Sequence, residues 1–213
     1  MEDSAFFGAD NAGPATREYP DLGALIGSRI CHDLNNPLGA IGNGLELMEL
    51  AGHKAGPEVA LIAQSVAAAK ARLQFLRVAF GAAAPAHRMG GADVATIVAE
   101  HFAGGRTRLD WPALSELGRD EAKLAFLALM CLETALPFGG RIAVWHSAEG
   151  WRMEGRATRL RQLGALWDVA AGTAAPAGIG APLVQFALLP EAARQVRRQV
   201  IVTQDTGKIT LEV

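Results

Sequence analysis

The chain has 213 residues, half of them hydrophobic and 20% charged, with a net charge of −2. That length and composition suit one or two small domains with a hydrophobic core and exclude a disordered chain. The near-neutral balance, with no basic run, excludes nucleic acid as an expected partner. Met1-Glu2-Asp3 is acidic and no apolar stretch follows it, so no signal peptide is expected. The longest apolar run, Leu124 to Phe138, is broken by Glu133 and too short to span a bilayer, so no membrane segment is expected. Cys31 and Cys131 lie far apart and fit no metal or disulfide spacing. A reduced, cytoplasmic setting is the resulting expectation.

In chain order, residues 1–18 carry Gly, Asp, Asn, Pro and Thr with little periodicity and read as a flexible N-terminal tail. Pro20-Asp21 opens a helix that runs to about Leu50, with Ile30, Leu34, Leu38, Ile41, Leu45 and Met48 in one apolar stripe. His32 is out of place for a core residue, because it falls roughly 165° from the centre of that stripe. Ser28, Asn36, Gly39 and Asn43 lie on its side, and Arg29 and Asp33 flank it. Pro37 lies inside the helix and is expected to bend it just below the histidine. Gly39, Gly42 and Gly44 each cost about 1 kcal/mol of helix propensity against Ala. Such losses ask for close approach of a partner backbone or for helix–helix packing; at Gly39, on the His32 face, the partner is favoured.

Ala51 to Pro57 reads as a turn, and Pro57 opens a second helix to about Phe80 with Ile62, Val66, Ala69, Leu73, Leu76 and Phe80 as its stripe. Residues 19–82 thus form a helical hairpin. Two antiparallel helices cannot bury two apolar faces alone, so a homodimer closing a four-helix bundle is expected. Residues 83–91, rich in Ala, Pro and Gly, read as a linker. From 92 to 213 the pattern is mixed. A helix from Asp93 to Phe102 precedes a strand from Thr107 to Trp111, and an apolar helix runs from Asp120 to Leu136. Arg141–Ser147 and Gly150–Arg156 form a hairpin. A helix is expected from Thr158 to Ala171, then another from Ala181 that is interrupted at Pro190 and ends near Arg198. Gln199–Gln204 and Lys208–Val213 make a last hairpin around Asp205-Thr206-Gly207.

His32-Asp33-Leu34-Asn35-Asn36-Pro37-Leu38 resembles the phospho-acceptor box of sensor histidine kinases, H-[ED]-x-x-[NT]-P-[LI]. The longer string from Arg29 to Leu47 resembles the ChpT-type histidine phosphotransferases of bacterial phosphorelays. The element order after residue 92 resembles the ATP-binding domain of histidine kinases. These resemblances imply an α+β chain, in which an N-terminal antiparallel helical hairpin forming a four-helix bundle on dimerisation precedes a kinase-ATPase-like α/β sandwich. Kinases of this kind hold Mg²⁺ through an Asn-bearing helix and read adenine at an Asp-x-Gly-x-Gly turn. Here that helix reads Leu129-Met130-Cys131-Leu132-Glu133-Thr134-Ala135-Leu136, and no Asn follows Asn43. Glu154-Gly155-Arg156-Ala157 and Asp168-Val169-Ala170-Ala171-Gly172 lack the adenine pattern, and Gly178-Ile179-Gly180 is a weak phosphate signal. Glu133 alone is not a metal site. The second domain is therefore expected to be degenerate and to bind no nucleotide.

Without ATP, phosphate must reach His32 from another protein. The resemblance implies a histidine phosphotransferase that takes a phosphoryl group from a receiver-domain aspartate of a hybrid histidine kinase and passes it to a response-regulator aspartate. A neutral imidazole suits that step, being nucleophilic near neutral pH. Asp33 is assigned an assisting role, with a plain surface charge as the alternative. Asn36 either positions a water or contacts the receiver. Ser28, Arg29, Gly39 and Asn43 complete the docking surface. No cofactor is expected on this chain; Mg²⁺ would come with the receiver. His53, His87 and His101 are read as exposed, His146 as packing or surface, and Cys31 as packing. Arg156, Arg159 and Arg161 are candidate receiver contacts from the second domain. The alternative reading is a non-catalytic pseudo-kinase scaffold that docks receivers or a kinase.

Overall fold

The computed structural model describes residues 22–51, 56–83 and 86–213; within the first helix, side chains are described for Gly23, Gly27, Ile30, 34–48 and Leu50. The expected tail over 1–18 and the turn residues Gly52 to Ala55 lie outside the described residues. Helix α1, Leu22–Leu50, runs unbroken through Pro37. Helix α2, Pro57–Phe80, starts on its proline and ends where Gly81 turns extended. The two are antiparallel: a Cβ at Gly27 would stand 3.5 Å from the Phe80 Cβ, and one at Gly42 would meet Val66 and Lys70.

The predicted stripe of α2 supplies only a third of what it buries. Val66 and Leu73 are buried as expected, but Ala71, Phe75, Val78 and Ala79 are buried too, on a second face. By length and composition α2 also suffices to cross a bilayer, yet its C-terminal half belongs to a protein core shared with the rest of the chain. On α1 the expected stripe stays largely uncovered within one chain: Leu38 and Leu45 are half-buried, whereas Ile30, Leu34, Ile41 and Met48 are exposed. Leu61 and Ile62 of α2 are exposed as well.

The stretch expected to be only a linker carries strand β1, Arg88–Gly90. Helix α3, Gly91–Phe102, follows, and then strand β2, Thr107–Asp110. Strand β3, Glu116–Gly118, was not legible in the pattern; it pairs antiparallel with β1, Met89 opposite Leu117. Two three-residue strands carry too little periodicity to be seen, and long-range pairing alone creates them. Gly91 is held tightly there, with its N–H donated to the Ser115 carbonyl at 3.0 Å and no room for a Cβ beside the Leu114 carbonyl.

Helix α4, Arg119–Ala135, is the centre of the second domain: Ala122 through Leu129 are all buried. A helix apolar on every side must be surrounded. Strands β4, Gly140–Ser147, and β5, Gly150–Arg156, form the expected hairpin. The helix expected over Thr158–Ala171 shrinks to α5, Ala165–Ala170. The preceding loop instead crosses the end of α4, where the Arg161 N–H caps the Ala135 carbonyl at 2.9 Å and Leu163 enters the core. That capping outweighs local helix propensity.

Helix α6, Val184–Gln195, continues through Pro190, where an interruption was expected. Strands β6, Ile201–Asp205, and β7, Lys208–Glu212, close the chain. The sheet order is β2-β4-β5-β7-β6, with β2 parallel to β4 and all other pairs antiparallel. Ile142, Val144, Met153, Ile209 and Leu211 point from the sheet into the core. The opposite face carries ion pairs between Arg141 and Asp110, Arg152 and Glu212, Arg156 and Glu154, and Lys208 and Asp205.

Phe75 joins the hairpin to this domain, stacking on Phe126 of α4 at 4.5 Å between ring centroids and meeting Phe102 of α3 edge-on. Phe75→Ala is expected to destabilise the protein by about 3–5 kcal/mol, from lost burial and the cavity left behind. Urea unfolding measures it.

Candidate functional site

Because α1 is continuous from Leu22 to Leu50, positions 32, 36, 39 and 43 fall in register along one helix face. The side chains of Ser28, Arg29, Cys31, His32 and Asp33 lie outside the described residues; the backbone that carries them is helical. Asn36 and Asn43 are exposed. A Cβ built on Gly39 or on Gly44 would meet nothing within 4 Å, so packing within this chain does not require either glycine. Gly42 is different, since it faces Val66 and the Lys70 ammonium of α2. The row therefore offers small and amide groups on an open surface.

The height of this row along the hairpin follows from the packing. Gly27 abuts Phe80, and His32 stands five residues further along α1, about 7.5 Å of helical rise. Moving the same distance back along α2 reaches Phe75. The backbone of His32 is thus level with the point where α2 is buried against α3 and α4.

Several groups around that junction differ from expectation. His101 was expected to be exposed, but its side chain is 3% exposed and its ring stacks on Phe75 at 3.9 Å. α3 ends against α2, and the imidazole fills the contact. Its Nε2 lies 3.5 Å from a Glu133 carboxylate oxygen. The hydrogen bond from His101 holds the Glu133 carboxyl below its usual range, against the opposing effect of partial burial. Glu133 is thus engaged within the protein. Its neighbour Thr134 donates to the Met130 carbonyl at 2.8 Å and accepts from the buried Gln185 amide at 3.0 Å, which ties α4 to α6.

The other stretches compared with nucleotide motifs are also built into the scaffold. Gly155 lies within β5, paired with Ile142 and Ile209. The Asp168 carbonyl accepts from the backbone and hydroxyl of Thr173 at the end of α5. Arg156 pairs with Glu154, and the Arg159 guanidinium sits 4.8 Å from the Phe138 ring centroid. His146 packs on Trp151, and its pKa is lowered by desolvation, with Arg198 adding and Glu121 opposing. Burial pushes the Cys131 thiol well up. Among the described residues, no three His, Cys, Asp or Glu side chains cluster as metal ligands would.

The hairpin with its His-Asp-x-x-Asn-Pro box, joined to a mixed sheet covered by helices, defines a phosphotransfer protein. Residues 91–208 match the family described as the histidine phosphotransferase C-terminal domain. Protein phosphotransferase ChpT of Brucella abortus (strain 2308) is 41% identical over 150 residues, covering 70% of this chain and 68% of that protein. A solved structure of a bacterial phosphotransferase superposes with a TM-score of 0.63 at 29% identity, over 93% of this chain and 98% of that one. The chain belongs to the histidine phosphotransferase family.

A carboxyl held low contributes stability that is complete above the ordinary carboxylate range and is lost as pH falls through its depressed value. Glu133→Gln is therefore expected to be less stable than the unsubstituted protein at neutral pH, with the gap closing in acid. Urea midpoints measured across that pH range test the sign.

Proposed function

We propose that His32 is the relay residue of a phosphotransferase that moves phosphate between receiver domains. The observation that carries this reading is the His-Asp-x-x-Asn-Pro box, set on one uninterrupted helix in a chain of this family. The lone pair of one neutral imidazole nitrogen attacks the phosphorus of an aspartyl phosphate on the receiver of a hybrid histidine kinase. The P–N bond forms as the acyl-phosphate P–O bond breaks, and the aspartate leaves as a carboxylate. The remaining ring N–H becomes more acidic as the ring takes up the phosphoryl group, and Asp33 stabilises or accepts that proton. A second receiver's aspartate, on a response regulator, then displaces the imidazole in the reverse sense.

Positioning and charge neutralisation dominate such a transfer. Mg²⁺ for it is supplied by the receiver's own acidic pocket, and this chain contributes the nucleophile and the docking face of Ser28, Arg29, Asn36, Gly39 and Asn43. No nucleotide takes part. The helix that would carry a metal-binding Asn is instead occupied by internal contacts of Glu133 and Thr134, and this supports the reading. Such relays operate in the cytoplasm, which is where we place the protein.

The working unit is a homodimer. Ile30, Leu34, Ile41 and Met48 of α1 and Leu61 and Ile62 of α2 leave an apolar hairpin surface exposed in one chain. A second hairpin buries it in a four-helix bundle. Ile41→Asp is expected to yield a monomer by sedimentation equilibrium, with the second domain still folded by circular dichroism.

The transfer itself is tested by incubating the protein with a labelled phospho-receiver, without ATP, beside His32→Ala. Acid-labile, base-stable label on the unsubstituted chain alone, chased to an added response regulator, is the expected result. Receiver binding without label would leave a scaffold in place of a relay.

A further inference from the structure

The junction between the hairpin and the second domain is closed by two cations from the start of α4. Arg119 donates from Nη1 to the Val78 carbonyl at 2.7 Å and from Nη2 to the Arg77 carbonyl at 2.6 Å. Both carbonyls belong to the last turn of α2, where the helix dipole is negative, and the Arg77 carbonyl also accepts from the Gly81 N–H at 3.2 Å. Lys123, one turn along α4 and 7% exposed, donates to the Gly81 carbonyl at 3.2 Å. The backbone N–H of Arg119 meanwhile donates to the His87 carbonyl at 2.8 Å. One residue therefore holds both ends of the segment that leads from α2 to β1. Phe75, Val78 and Ala79 bury the same end of α2 in the shared core.

A hydrophobic contact alone is non-directional and tolerates sliding or rotation. The planar guanidinium is different, because two fixed donors on two adjacent carbonyls specify an angle. By the pairing of Gly27 with Phe80, this angle is set level with positions 29 and 30 of α1, within about 3–5 Å of helical rise of His32. A receiver domain is about 30 Å across, so one centred on His32 extends past the level at which the second domain begins.

We propose that Arg119 and Lys123 are positioning residues for phosphotransfer: by gripping the C-terminal carbonyls of α2, they lock the second domain to the hairpin, so that a receiver seated on His32 meets that domain in one fixed orientation. The inference rests on the relay role of His32. A kinase must let its nucleotide domain move to reach the histidine, whereas a transfer protein that draws phosphate from a separate receiver gains from holding both docking surfaces still. Neither cation touches the phosphoryl group.

The test is single-turnover transfer from a labelled phospho-receiver over a range of receiver concentrations, for the full chain and for Arg119→Met, Lys123→Met and Arg119→Lys. Loss of two charge-assisted hydrogen bonds is expected to raise the receiver concentration for half-maximal rate about tenfold in Arg119→Met. The limiting rate is expected to stay within about twofold, because the His32 chemistry is untouched. Lys123→Met has a smaller effect of the same kind, and Arg119→Lys recovers part of the loss. Amide exchange is expected to rise at Gly81 and Arg119 while α4 stays protected. Faster exchange there with an unchanged half-maximal concentration would overturn the proposal. So would a fall in limiting rate alone. If Arg119→Met fails to fold, Arg119→Lys decides the same split. Absence of label on the unsubstituted protein would refute the relay reading instead, and His32→Ala separates the two failures.

Discussion

Everything in this molecule depends on α2 being buried twice. One face, through Val66 and Phe80, meets α1; the other, through Phe75, Val78 and Ala79, enters the core of the second domain. A helix used on two sides transmits position from one neighbour to the other, because close-packed interiors do not deform continuously. The α1 backbone at His32 is therefore placed relative to the sheet, although the two share no element. The aromatic stack of His101, Phe75 and Phe126 supplies the burial at this joint, and Arg119 supplies its direction.

The two halves of the chain use polar groups in opposite ways. Along α1 the described residues Asn36 and Asn43 are exposed and Gly39 has open space beside it, so packing within the chain does not use this face. In the second domain, polar side chains turn inward to hold the scaffold. Glu133 serves His101, Thr134 serves Gln185, and Glu121 accepts from the Trp151 indole at 3.1 Å. The outer face of the sheet is likewise occupied by matched ion pairs. Exposed pairs of this kind contribute little stability; they keep a broad sheet face soluble and short of unpaired charge. In this domain Glu133, Thr134, Gly155 and Asp168 are all engaged in internal contacts.

How much of this was legible depends on whether the signal was local. Pro57 and Gly81 mark the ends of α2, and alternation with a glycine turn marks the β4–β5 and β6–β7 hairpins, where Gly150 and Gly207 adopt positive φ. These features are set by neighbours in sequence. The pairing of β1 with β3, the loop over the end of α4 and the uninterrupted passage of α6 through Pro190 are set by distant contacts, which periodicity does not carry. His101 is the clearest case: near a helix end it reads as exposed, and only the arrival of Phe75 from α2 buries it.

By itself the sequence determined which residues make up the His-Asp-x-x-Asn-Pro box and which helix face they share. A histidine opposite an apolar stripe, followed by Asp33, Asn36 and Pro37, is a property of local order and helical spacing. It also determined that a single hairpin leaves apolar surface to be covered. Tertiary structure alone decided which glycine packs inside the chain, where Gly42 faces α2 and Gly39 does not. It alone decided that the second domain is fastened to the hairpin at the C-terminal end of α2, about one helical turn from the level of His32. The reason is physical: a side chain's type and spacing fix what it can donate or accept, but the carbonyls Arg119 grips lie more than forty residues away, and only folding brings them together.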